Sequence, residues 1–126
     1  MAKGLRQEEE KIVFPRRGDI YLVEFDPARG HEIQKTRPAL IIQNDIGNQY
    51  SPITIVASLT SKFDTRPHPT DVIVDREQSG LLQRSAVALN QIRSVDRQRL
   101  IRRLGRLDVV TMRRVDHALM ISLGLF

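Results

Sequence analysis

Arg37 and Thr60 are residues of types able to work on a phosphate group, each placed at the end of an expected strand. Arginine presents a planar, permanently charged fork of donors that matches phosphate oxygens. A threonine hydroxyl at the end of a strand can hold one such oxygen, although a threonine there is also simply a good sheet former. His31 and Glu32, in a polar stretch shortly before Arg37, are groups able to accept a proton, a contribution worth roughly 10²–10⁴-fold in rate. RNA cleavage asks for little more, because the 2′-hydroxyl of the substrate is itself the nucleophile. Arginine is a poor acid, with a reference pKa above about 12. Its expected part is to stabilise charge developing on the phosphorus, commonly the largest catalytic contribution.

Other chemistries find no residues. The three histidines, His31, His68 and His117, are widely separated and form no metal-binding spacing, and carboxylates do not gather into an oxygen cage. No metal site and no cofactor are expected. Cysteine is absent, which removes thiolate ligands, disulfides and a cysteine nucleophile together. Neither glycine-rich phosphate loop nor a G-x-S-x-G nucleophile turn occurs.

The chain has 126 residues, a length for one domain, with 40% apolar and 28% charged residues. Its formal charge of +5 favours a polyanionic partner. Arg93, Arg97, Arg99, Arg102, Arg103, Arg106, Arg113 and Arg114 concentrate that charge in the C-terminal third, either for phosphate contact or as a solvated, partner-facing surface. Residues 1–14 lack periodicity and read as a flexible leader before a domain over 15–126. The first eleven mix Lys3 and Arg6 with Glu8, Glu9 and Glu10, unlike a secretory signal. No run approaches the roughly 20 apolar residues that span a bilayer. The expected location is the cytoplasm, with no membrane partner.

The elements that must position Arg37 and Thr60 are short strands. Residues 19–25 alternate and stop at Asp26-Pro27. A polar loop follows over 28–36, then an apolar strand over 37–43 and a turn-rich segment over 44–48. Residues 53–60 form a β-branched strand, 61–70 a loop holding Pro67 and Pro69, and 71–75 a fourth strand. Ser79-Gly80 marks a turn before a fifth strand over 86–95. One helical turn capped by Asp96 precedes a sixth strand over 101–107 with an arginine-rich outer face. From 108 to 123 the period becomes helical, with Val109, Met112, Val115 and Leu119 on one side, Asp108 as N-cap and Gly124 as stop. The expected fold is mainly β, a small, partly open barrel with one C-terminal helix. Arg37 opens one strand and Thr60 closes another, so antiparallel pairing of the two would bring them to the same edge.

These residues fall in an ordered set of motifs: GDIY at 18–21, FDP at 25–27, GHE at 30–32, TRPALIIQND at 36–45 and IVASLT at 55–60. NQIRSVD at 90–96, Arg99-Leu100 and VDHALMISL at 115–123 continue it. From about Gly18 to Leu123 the chain resembles the MazF/PemK (Kid-like) toxins of type II toxin–antitoxin systems, nearest the MazF branch.

The resemblance implies an SH3-like (CcdB/PemK-type) barrel and a homodimer. It implies metal-independent cleavage of single-stranded mRNA at short motifs, leaving 2′,3′-cyclic phosphate and 5′-hydroxyl ends and so inhibiting translation and growth. It also implies a cognate MazE-like antitoxin that blocks the RNA groove, with operator DNA reached only through that antitoxin. The family's catalytic arginine and threonine fall on Arg37 and Thr60, and its loop glutamate on Glu32. His31, Gln34, Asn44 and Gln91 fall where RNA contacts are expected, with His31 an alternative base. The Kid branch carries an arginine and an aspartate before its Q-x-R segment, where this chain has Ala88 and Asn90. The active site is therefore expected to be the Arg37/Thr60 type. The alternative function is a non-catalytic toxin of the same fold that acts by protein binding, as gyrase poisons do.

Overall fold

A computed structural model describes residues 14–26 and 35–126. Nearly all of the expected leader, together with His31, Glu32 and Gln34, lies outside the described residues. Six strands form one antiparallel sheet: β1 (Asp19–Asp26), β2 (Lys35–Ile41), β3 (Ile53–Thr60), β4 (Asp71–Val74), β5 (Ser85–Asp96) and β6 (Leu100–Arg106). Their spatial order is β4-β5-β3-β2-β1-β6. Among the described residues three helices accompany the sheet: α1 (Asp45–Tyr50), α2 (Arg76–Ser79) and α3 (Val109–Leu123), with a 3₁₀ turn at Arg97–Arg99.

Alternation along the strands divides the apolar residues between two faces. Leu40, Ala57, Leu59, Val87 and Leu89 join Val115 and Ala118 of α3 in the larger core. Val23, Phe25, Ala39, Ile41, Val56 and Val95 make a smaller core on the other face. Strand β5 serves both. Its pairing with β3 runs Ala57↔Ile92 and then Ser58↔Ala88, so residues 89–91 bulge out of the ladder. Bulges bend a strand and raise its local twist, and here the bend lets one half of β5 pack under α3 while the other half closes the smaller core.

Closure beyond the ladder depends on two glycines. Gly80 ends α2 with a left-handed φ of 76° and lies against the Leu104 carbonyl of β6. Gly105 answers it: a Cβ there would stand 2.5 Å from the Ser79 carbonyl oxygen. The Gln78 side chain adds a bond, accepting the Asp108 N–H at 2.7 Å. The strand order places β4 and β6 at opposite edges of the sheet, and this α2–β6 contact bridges toward β6, giving the partly open barrel the sequence led us to expect. The outer edge of β6 is exposed at Arg102, Arg103 and Arg106, charges that discourage edge-to-edge pairing.

Several local expectations change. Residues 45–50 form a helix rather than an open turn, because the Asn44 side chain accepts the Gly47 N–H at 2.8 Å and starts it. Inside that helix Asn48 is fully buried and bonded to the Gln43 carbonyl and the Thr54 hydroxyl. Residues 76–79 coil into a single turn before Gly80. Strand β2 begins at Lys35, because its pairing with β1 continues through Thr36↔Glu24 and Lys35↔Asp26. In α3 the caps are Asp108 and Gly124, but the buried stripe is Thr111, Val115 and Ala118, with Met112 and Leu119 beside it. Val109 is exposed, since the first turn overhangs the core.

Two predictions follow from these contacts. Gly105→Ala forces a methyl into backbone, so the midpoint of denaturant unfolding should fall by an amount equivalent to about 1–3 kcal/mol; an unchanged midpoint would show that closure does not depend on this approach. The second concerns Asp108, whose carboxylate accepts the Thr111 N–H at 2.8 Å and is thereby held below its ordinary value of 3.8. A depressed folded pKa stabilises fully above that ordinary value and loses its effect as pH falls through the folded one. Wild type should therefore be more stable than Asp108→Ala at neutral pH, and the gap should narrow below pH 3.8; a gap constant with pH would contradict the capping role.

Candidate active site

Strands β2 and β3 pair antiparallel at Ala39↔Ser58, Leu40↔Ala57 and Ile41↔Val56. Two residues further on, the same register sets Arg37 opposite Thr60. Both share the face of Ala39, Ile41 and Val56, the small core. The pairing with β1 adds Val23↔Arg37, and that with β5 adds Thr60↔Ala86. Pro38 has a local effect here. It has no N–H, and the β2–β3 ladder stops at Ala39. Arg37 and Thr60 thus face each other without ladder bonds, at a point where the sheet opens into cavities.

The cavity on one side, about 470 Å³, is lined by Lys35, Arg37, Lys62 and Arg93 together with Phe25, Ser58, Thr60, Ala88 and Gln91. Among the described residues that line it are four cations and no carboxylate, an electropositive arrangement suited to an anion. Arg37 is exposed, and its guanidinium has no ion-pair or hydrogen-bond partner among the described residues. Arg93 stacks on the Phe25 ring with its guanidinium carbon 5.0 Å from the centroid, which directs it along the cavity wall. The Thr60 hydroxyl accepts the Lys62 N–H at 3.1 Å and donates to the Lys62 carbonyl at 3.3 Å. That pair of bonds fixes the hydroxyl and folds Lys62 back beside it.

The expected site residues therefore separate into groups. Arg37, Thr60 and Gln91 line one cavity, with Gln91 delivered by the β5 bulge. Asn44 does not join them: it stands beyond the far end of β2, its side-chain oxygen occupied in capping α1. Ala88, where the Kid branch has arginine, is buried and lines the same cavity with only a methyl group. The sequence reading missed Lys35 and Lys62, and had Arg93 only as one of the C-terminal arginines offered for phosphate contact or a solvated surface. Lys35 and Arg93 stand two residues from Arg37 and Gln91 on the same strands, so the period of a strand was the available signal, whereas Lys62 lies past the end of β3 and is brought in by its backbone bonds to Thr60. Among the described residues no three His, Asp or Glu side chains converge on one point. No described helix is long and apolar enough to cross a membrane.

Comparison with known proteins bears on what this cavity belongs to. Endoribonuclease EndoA of Bacillus subtilis is 44% identical over 110 residues, 87% of this chain and 95% of that one. The structure of a mycobacterial endoribonuclease in complex with its cognate antitoxin is 27% identical with a TM-score of 0.71, covering 89% of this chain and 97% of that one. The MazE–MazF complex of Deinococcus radiodurans superposes with a TM-score of 0.75 at 24% identity, over 89% and 97% of the two chains, and supports the fold alone. The family model of the PemK-like, MazF-like toxins matches residues 16–123, a span that contains every strand, all three helices and the whole cationic cavity. The chain belongs to the PemK-like, MazF-like toxins of type II toxin–antitoxin systems.

Proposed function

We propose that this chain is a toxin endoribonuclease that cuts single-stranded mRNA by attack of the 2′-hydroxyl on the adjacent phosphorus. The observation that carries the reading is Arg37 facing Thr60 at the wall of a cavity with four cations. Attack forms a bond from the 2′-oxygen to phosphorus and breaks the bond to the 5′-oxygen. The 2′-proton passes to a base and the 5′-oxygen gains a proton, leaving a 2′,3′-cyclic phosphate and a 5′-hydroxyl. Arg37 supplies the donor fork for the oxygens whose charge grows in the transition state. Thr60, with its hydroxyl held by the Lys62 backbone, positions one of them. Lys35, Lys62 and Arg93 bind flanking phosphates, and Gln91 contacts the RNA from the bulge. The base is Glu32 or His31, which lie in the connection leading into β2.

Side chains alone provide the charge stabilisation in this scheme, so no metal is required. The toxin works in the cytoplasm as a homodimer, the domain over 15–126 carries the activity, and a MazE-like antitoxin restrains it. That partner assignment is supported by the mycobacterial relative described in complex with its cognate antitoxin. The cationic cavity favours a nucleic-acid substrate over the protein-binding alternative.

The purified chain should cut RNA in EDTA. Arg37→Ala should lower single-turnover cleavage by at least 10²–10³-fold, the effect of removing one preorganised charge donor, while circular dichroism and oligomeric mass stay unchanged. Wild-type cleavage by Arg37→Ala, or cleavage that stops in EDTA, would overturn the assignment.

A further inference from the structure

The Arg37–Thr60 pair has a cavity on each side. The second, about 460 Å³, shares Arg37, Leu59, Thr60 and Lys62 with the cationic one, but its other walls differ in kind. Pro38, Leu81 and Leu82 give it an aliphatic surface, and Gln83 adds one amide. Leu82 is 90% exposed.

The turn that carries Leu82 and Gln83 is fixed at both ends. Before it, Gly80 lies against the β6 backbone, and the Ser79 hydroxyl oxygen accepts the Leu81 N–H at 3.1 Å. After it, the Ser85 hydroxyl donates to the Gln83 carbonyl at 3.1 Å. Leu81 packs on the larger core beneath. Leu82 and Gln83 are thus presented at a set position beside Arg37, the preorganisation that a selective pocket needs. A phosphodiester joins two nucleosides, so a phosphate held by Arg37 and Thr60 carries one on each side. One nucleoside meets the cations, and the other meets the aliphatic wall. Apolar side chains suit the face of a base, and the Gln83 amide offers both a donor and an acceptor to its edge.

We propose that the Leu82–Gln83 cavity is a nucleobase subsite, which seats one of the two bases flanking the scissile phosphate and reads its identity. The inference rests on the ribonuclease reading above. Its test is cleavage of an RNA library of randomised sequence by the full chain, with the 5′ ends of the products sequenced. Leu82→Ala should raise KM, and Gln83→Ala should relax base preference at a single position next to the cut by about tenfold, the scale of one lost base-edge contact. Thermal midpoints of both variants should match wild type, because both side chains are exposed. If wild type cuts RNA and both variants keep its base preference, or lose preference evenly at every position, the subsite is overturned and the ribonuclease reading stands. A wild-type chain that cuts no RNA overturns both.

Discussion

The register between β2 and β3 is the constraint on which the rest of the molecule depends. Antiparallel pairing at Ala39↔Ser58 places Arg37 across from Thr60, and a slip of one residue would send one of them to the opposite face. The pattern of burial guards against that slip. Leu40 and Ala57 are enclosed in the larger core while Ala39, Ile41 and Val56 are enclosed in the smaller one, so both faces of each strand are committed. The two cores that hold the sheet together are therefore also what holds the site in register.

Around that register the fold brings together charges that would otherwise repel. Lys35, Arg37, Lys62 and Arg93 share a cavity with no carboxylate among its described lining residues. Like charges so placed cost stability, and such a cost is commonly found where a site is arranged for a ligand of opposite sign. Several arginines elsewhere are neutralised by carboxylates. Arg106 and Arg103 reach the buried Asp19 at 2.7 and 3.3 Å, and Arg17 reaches Asp116 at 2.6 Å. Within the arginine-rich C-terminal third, Arg103 and Arg106 thus brace the β1–β6 edge, Arg99 donates to the Glu24 carbonyl of β1, and Arg93 faces the cavity.

Strand content, the C-terminal helix and its Asp108 and Gly124 caps were legible because each follows from local chemistry: β-branched alternation, a helical period and capping side chains. The opposition of Arg37 and Thr60 was legible only conditionally, since strand ends can be read locally but pairing cannot. The β5 bulge was not legible, because Leu89, Asn90 and Gln91 continue an ordinary strand pattern and only pairing with β3 expels them. Nor was the Gly80–Gly105 approach, a contact between residues 25 apart whose sole sequence trace is the absence of a side chain. Asn44 shows the converse: its match to a family motif suggested an RNA contact, whereas a start signal for a six-residue helix was the local reading available.

The central claim is that Arg37 and Thr60 act on one and the same phosphate. A double-mutant cycle tests it most directly, with single-turnover cleavage of one defined RNA measured for wild type, Arg37→Ala, Thr60→Val and the double variant. Groups that serve one transition state lose their effects together. The account predicts that Thr60→Val costs much less in the Arg37→Ala background than in wild type. Costs that simply add would mean that the two residues act independently, and would contradict it.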